Sequence, residues 1–145
     1  MKLLTIVLFL FASASITWLG DFSKAQIVAS ASHKVIMVNF SGSDWCGPCI
    51  RLRKEILESE KFKDFAAGNL VLVRADFPRQ KKNQLSKDQV KLNEALAEKY
   101  NPEGKFPYTL LLDEQGKVLK EWDGYPDETP EQFINQIKPF ANAVH

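Results

Sequence analysis

The feature that most narrows what this chain can become is the change of sequence character between residues 34 and 58. Lys34 to Phe40 (Lys-Val-Ile-Met-Val-Asn-Phe) is rich in β-branched and aromatic residues and reads as a buried strand. Ser41-Gly42-Ser43-Asp44 is a turn. From about Cys46 to Glu58 the apolar residues Ile50, Leu52, Ile56 and Leu57 predict a helix, with Pro48 in its first turn, where a missing N–H costs little. The chain has two cysteines, Cys46 and Cys49, and both fall at this strand-to-helix junction. A structural staple would join distant segments, because closing a long loop removes more unfolded-state entropy; a bridge across two intervening residues constrains almost nothing. Zinc wants four ligands, and His33 and His145 are the two histidines, so no metal site is assigned. A copper site using both thiolates stays open.

The length of 145 residues suits one domain, and the surrounding sequence supplies its other elements. A short helix is expected from Asp21 to Ala31, with Asp21 as its cap and Phe22, Ala25, Val28 and Ala29 on one side. Phe62 and Phe65 extend a second helical piece toward Gly68, and Leu70 to Ala75 is the next strand. Phe77 to Leu85, carrying Pro78, Arg79, Lys81 and Lys82, reads as a solvated basic loop. Ser86-Lys87-Asp88-Gln89 resembles a capping box and opens a helix to Tyr100, with Val90, Leu92, Leu96 and Tyr100 facing inward. Tyr108–Leu112, the turn Asp113–Gly116 and Lys117–Trp122 form an antiparallel hairpin. Thr129-Pro130-Glu131-Gln132 then starts a last helix running to about Ala141, with Phe133, Ile134, Ile137 and Phe140 toward the sheet. Early strands joined by helices should be parallel, so the expected fold class is α/β: a mixed central sheet with an antiparallel C-terminal hairpin, flanked by helices on both faces.

A cysteine at a helix N-terminus is a reactive one, because unpaired N–H groups and the helix dipole stabilise the thiolate. Cys46 holds that position as the exposed attacker. Cys49, almost one turn on, is placed to resolve a mixed disulfide formed at Cys46. Gly47 and Pro48 keep the turn tight and start the helix. A Cys-x-x-Cys pair after a strand and opening a helix is a redox arrangement. The full string Trp45-Cys46-Gly47-Pro48-Cys49 is identical to the active-site string of thioredoxins, and from Val35 to Phe140 the chain resembles that family. Gly42-Ser43-Asp44-Trp45-Cys46, following a candidate signal sequence, resembles the secreted thioredoxin-like proteins of bacterial envelopes.

The resemblance implies a thioredoxin-like fold and a thiol–disulfide oxidoreductase that needs no cofactor beyond the redox-active disulfide Cys46–Cys49. It implies that Phe106-Pro107 is a cis peptide facing the cysteines, with the backbone of Phe106 pairing with an extended substrate segment; from the residues alone a trans turn proline is the commoner state. Trp45 and Gly124 match family positions bordering the substrate groove, although Trp45 could instead cover the loop and Gly124 serve a turn. Gly47-Pro48 is typical of reducing members. Two features depart from the family. The buried Asp thought to assist proton removal from the second cysteine is here Asn39, which cannot act as a base, and the loop to Cys46 is one residue longer. Asp44 is the other candidate for proton handling, through water, or is a solvated turn residue whose charge opposes thiolate formation. The second departure is the basic segment after Phe77, a candidate site for an acidic partner or simply an insertion.

The N-terminus sets the expected compartment. Met1-Lys2, the apolar run Leu3 to Phe11 and the small residues Ala12-Ser13-Ala14 have the three-part layout of a secretory signal, so residues 1–14, or up to about 20, are assigned to it and 21–142 to the domain. An uncleaved anchor is the alternative, since Ile16, Trp18 and Leu19 extend the run toward the roughly 20 residues that span a bilayer. The expected location is thus periplasmic or secreted, or membrane-anchored. The net charge of +1 is spread along the chain and implies no nucleic-acid partner. The expected partners are disulfide-bearing exported proteins, with, by resemblance, a membrane thiol-transfer protein as electron donor; the chain is expected to be a monomer. Protein disulfide reduction is the leading function. Isomerase or oxidant chemistry, and a non-catalytic chaperone or copper-binding module, are the alternatives.

Overall fold

Strand β2 (Val35–Ser41) is buried along its whole length, and its side chains alternate between two cores. The computed structural model describes residues 15–142, so the expected signal sequence at residues 1–14 lies outside the described residues. Val35 and Met37 point to one face, together with Leu70 and Leu72 of β3 (Leu70–Asp76) and Leu111 of β4 (Tyr108–Leu112). Ile36, Val38 and Phe40 point to the other, with Val71, Val73 and Leu110. A strand covered on both sides has no polar face to keep, which is why this run reads as continuous apolar sequence rather than alternation.

The first face is covered by α2 (Gly47–Leu52) with the wide turn that continues it, α3 (Glu60–Asn69) and α5 (Pro130–Asn142), through Leu52, Ile56, Phe62, Phe133 and Ile137. The second is covered by α1 (Phe22–Ser32) and α4 (Lys87–Tyr100). The five strands lie in the order β1-β3-β2-β4-β5. β2 is parallel to β3 and antiparallel to β4, and β4 pairs antiparallel with β5 (Val118–Asp123). The expected mixed sheet, hairpin and two helical layers are all present.

Three details differ from expectation. The sheet starts ahead of Asp21: β1 (Trp18–Leu19) pairs in parallel with Leu72 and Val73 at the β3 edge. No helix among the described residues is long and apolar enough to cross a membrane. The helix after the cysteines is not uniform: Arg53–Leu57 forms a π-turn, closed by Glu58 N–H donating to Arg53 O at 2.8 Å. The extra residue in that turn lets Leu52, Ile56 and Leu57 all face the core, which a regular 3.6-residue repeat would not. Finally, Val28 and Leu92 are exposed. The inward stripe of α1 is Phe22, Ala25 and Ala29; that of α4 is Gln89, Asn93, Leu96 and Tyr100, and Leu92 lies about a fifth of a turn from the centre of that stripe.

Asn93 is buried because its amide is used. Its Nδ2 donates to the carbonyl of Asp76 at 2.9 Å, and its Oδ1 accepts from Gln89 Nε2 at 2.8 Å. Asn93→Ala strands the Asp76 carbonyl at the end of β3 and is expected to cost about 1–3 kcal/mol of stability, read as a lower midpoint in urea unfolding. A change below about 0.5 kcal/mol would show that this carbonyl finds another donor.

Candidate active site

Cys46 is the N-cap of α2. Its backbone is extended (φ −93°, ψ 103°), its carbonyl accepts the first helical hydrogen bond from Ile50 at 3.0 Å, and its Sγ accepts from the N–H of Cys49 at 3.3 Å. The helix N-terminus is therefore aimed at the sulfur of Cys46. Cys46 and Cys49 are joined by a disulfide with their Cα atoms 5.2 Å apart. The expected contrast between an exposed attacker and a buried resolver is small in this oxidised form: Cys46 is 6 % exposed and Cys49 3 %. Gly47 and Pro48, by contrast, are exposed. Cys49 Sγ also accepts from the N–H of Gly42 at 3.5 Å.

Asn39 lies on the same sheet face as Val35 and Met37, two residues before β2 ends. It is 3 % exposed, and its Nδ2 donates to Thr109 Oγ1 at 3.0 Å across the β2–β4 pair. Two neutral side chains thus satisfy each other at a position where the thioredoxin resemblance implies a carboxyl. Arg74 is the register partner of Asn39 on β3, but its guanidinium stacks over the Trp18 ring at 4.1 Å, toward the sheet edge, and burial pushes its pKa down.

Asp44 is engaged elsewhere. Its carboxylate accepts from the N–H of Arg79 at 2.9 Å, the N–H of Gln80 at 3.0 Å and Asn83 Nδ2 at 3.0 Å. These donors, led by Arg79 N–H and Asn83, hold its pKa below the usual 3.8. It is neither a free turn residue nor a carboxylate directed at a cysteine. Segment 77–85, expected as a solvated loop, is accordingly fastened to the cysteine loop. Trp45 Nε1 donates to Phe77 O at 2.7 Å, and the Arg79 guanidinium stacks over the Trp45 ring at 3.6 Å. Gly42 makes room for that ring, since a Cβ there would lie 2.3 Å from the indole.

On the facing side, the Phe106–Pro107 peptide is cis. Phe106 packs edge-on against Trp45 and Phe77, with centroids 5.5 and 5.4 Å apart. Since Phe40 pairs with Tyr108, Pro107 sits at the end of β4 beside the end of β2, where the cysteine loop begins. Gly124 is brought to the same place: its N–H donates to Pro107 O at 2.9 Å, and its φ of 87° favours glycine. The next residue, Tyr125, donates its hydroxyl to Glu55, which also accepts from Arg51 Nε at 3.0 Å; Arg51 stacks over the Tyr125 ring at 4.3 Å. The structure thus gathers Cys46, Cys49, Trp45, Phe106, Pro107 and Gly124 at one end of the sheet. The contact of Phe77 with Phe106 and the link from Tyr125 to Glu55 were not anticipated from sequence, because no short motif marks a contact made by a residue that follows β3 or lies in the β5–α5 loop. Among the described residues, no group of three or more His, Cys, Asp or Glu side chains is placed to hold a metal.

Comparison with known proteins bears on this geometry. The family model of the thioredoxin-like domain matches residues 22–141. The chain is 33 % identical over 127 residues to a protein of Chlamydia pneumoniae named disulfide bond reductase DsbH, covering 88 % of this chain and 74 % of that one. It is 31 % identical over 125 residues to the thioredoxin-related protein DsbJ of the same organism, covering 81 % of this chain but only 33 % of DsbJ. A solved DsbH oxidoreductase superposes with a TM-score of 0.81 at 27 % identity, covering 97 % of this chain and 95 % of that one. A thioredoxin from Thermus thermophilus shares the fold at 16 % identity, with a TM-score of 0.61 and 87 % coverage of each chain.

The Asp44 clamp has a definite pH dependence. Its folded pKa is depressed, so the ordering of residues 79–83 is fully present above the unfolded value near 3.8 and is lost as pH falls through the lower folded value. Hydrogen exchange should show the amides of Arg79 and Gln80 protected at pH 6 and unprotected in Asp44→Ala at the same pH, with the wild type losing protection only below about pH 4. Equal protection in both proteins would show that Trp45 alone holds the segment.

Proposed function

Because this chain belongs to the thioredoxin-like family of protein disulfide oxidoreductases, we propose that its dithiol form reduces disulfides of exported proteins in the bacterial cell envelope by way of a mixed disulfide. The observation that carries this is the placement of Cys46 Sγ at the cap of α2, under the N–H of Cys49 and bonded to Cys49 Sγ. With both cysteines reduced, the Cys46 thiolate attacks one sulfur of a substrate disulfide. That bond breaks, a Cys46–substrate disulfide forms, and the other substrate sulfur leaves as a thiolate and takes up a proton. Cys49, after losing its own proton, attacks Cys46 Sγ. The second substrate sulfur leaves, the Cys46–Cys49 disulfide remains, and two electrons have passed to the substrate. A dithiol donor, proposed as a membrane thiol-transfer protein, resets the pair by the reverse exchange. The protein works as a monomer after removal of residues 1–14.

The surrounding residues have separate parts in this reading. The N–H and C=O of Phe106 have no hydrogen-bond partner among the described residues and sit beside the cis Pro107, free to pair with an extended substrate backbone. Trp45 and Gly124 border the strip where that backbone lies. Asn39 accepts no proton, and Asp44 is occupied by the backbone of Arg79 and Gln80, so the proton of Cys49 passes to water. Reduction rather than oxidation is favoured by Gly47-Pro48 and by the name of the relative, a disulfide bond reductase.

Cys46→Ser is expected to reduce turnover of a disulfide peptide to background. Cys49→Ser is expected to keep the first attack and accumulate a protein–peptide mixed disulfide visible by mass spectrometry. Turnover that survives both substitutions would overturn the redox reading. Asn39→Asp tests the proton route: a buried carboxyl without its present partner should lower stability by about 1–3 kcal/mol in urea unfolding. The same variant should speed decay of the mixed disulfide near neutral pH, in stopped-flow measurement. An unchanged decay rate would show that deprotonation of Cys49 does not limit the second step.

A further inference from the structure

Segment 77–85 takes no part in the exchange steps, yet it is tied to both sides of the nucleophile. Asp44 holds the backbone of Arg79 and Gln80, Trp45 Nε1 holds Phe77 O, and Phe77 packs against Phe106, the residue before Pro107. Its position relative to Cys46 is therefore set by the same loop that presents Cys46. It also carries cations that no carboxylate among the described residues neutralises. Arg79, Lys81 and Lys82 are exposed, and none forms an ion pair among the described residues, whereas Arg51, Arg53, Lys61, Lys63 and Lys105 do. The acidic group in their midst, Asp44, is turned to backbone N–H groups and Asn83. Arg79 lies flat on Trp45, so a fixed cation stands over the residue that precedes Cys46.

The other wall has the opposite character. Arg51 is neutralised by Glu55 across 3.0 Å, and the loop that follows Gly124 contributes the exposed Asp127. The strip between the walls thus changes sign from one side to the other, in a chain whose net charge is only +1. The geometry points to residues 79–82 as a specificity wall that selects polypeptide disulfides whose cysteine is flanked by acidic side chains. A substrate backbone paired with Phe106 carries its side chains past Arg79 on one side and past Asp127 on the other. Aspartate or glutamate on the first side meets unpaired cations; lysine there meets repulsion. Such a charge match acts mainly on encounter and orientation, and salt screens it.

This inference rests on the reductase reading, and the test separates the two. Peptides closed by an intramolecular disulfide, identical except for Glu, Gln or Lys at the two positions flanking one cysteine, are reduced by the full mature protein, and kcat/KM is measured for each. At about 0.02 M salt the Glu peptide should react about tenfold or more faster than the Lys peptide, and the ratio should approach one at about 1 M salt, where the Debye length is near 3 Å. In Lys81→Gln/Lys82→Gln the low-salt ratio should fall at least about threefold. Using the ratio removes any general loss of folding or of cysteine reactivity. Equal rates for the Glu, Gln and Lys peptides would overturn the inference while leaving the reductase reading intact. Failure to reduce any of the three would overturn both.

Discussion

The carbonyl of Gly42 accepts hydrogen bonds from both Trp45 and Cys46, at 3.3 and 2.9 Å, while its own N–H points at Cys49 Sγ. One short turn therefore fixes where the sulfur atoms sit relative to the end of the sheet. The turn is itself anchored: Ser41 O accepts from Phe77 N–H at 2.9 Å, and the Asp76 carboxylate accepts from Ser43 N–H at 2.9 Å. β2 and β3 are locked in parallel register from Val35–Leu70 to Ser41–Asp76, so both loops leave the sheet at the same level. The absence of a side chain at Gly42 is what lets the Trp45 indole fold back over this junction. A cysteine pair on an unsupported loop would have the same sequence and no defined approach for a substrate.

The readable parts of the sequence were those in which local chemistry and tertiary structure agree. β2 is apolar throughout because both its faces are buried, and Pro48 and the cysteines mark the start of α2 because a helix tolerates proline in its first turn. Thr129 and Gln132 exchange the reciprocal cap bonds, at 2.9 and 3.2 Å, that their spacing announced. What could not be read depended on contacts between distant residues. Leu92 has the composition of a core residue, but Asn93 takes the inward position because the end of β3 offers it a carbonyl. Segment 77–85 has the composition of a solvated loop, and only the meeting of Asp44 with the N–H groups of Arg79 and Gln80, 35 and 36 residues further on, shows that it is held. The π-turn at Arg53–Leu57 has the same origin, since two adjacent apolar residues are drawn to one core.

The pairing of Asn39 with Thr109 shows how one position can favour folding at the expense of proton transfer. A carboxylate buried there would need either a cation or its own proton. The nearest candidate cation by register, Arg74, is turned away onto Trp18. The neutral pair needs neither, and it adds a side-chain hydrogen bond at 3.0 Å across the β2–β4 ladder. In the proposed mechanism what is given up is a fixed proton acceptor at this position, so the proposed second exchange step draws on solvent reaching Cys49, which is only 3 % exposed when oxidised.

That dependence gives the walls of the site a consequence beyond recognition. Trp45, Phe77 and Phe106 form one aromatic surface across the cysteine loop, the β3 end and the approach to Pro107. A substrate lying on it excludes water from the side that Trp45 covers. The opposite side, at Gly124, has no side chain at that position to close it. On that side lies the Arg51–Glu55–Tyr125 cluster, where Glu55 is already committed to two donors and its pKa is held down, first by the Tyr125 hydroxyl and then by Arg51. A carboxylate so engaged stays ionised at neutral pH and does not act as a trap for the departing proton. In the proposed function the two walls therefore divide the work: the aromatic, basic one holds the substrate, and water on the other side takes the place of the missing carboxyl.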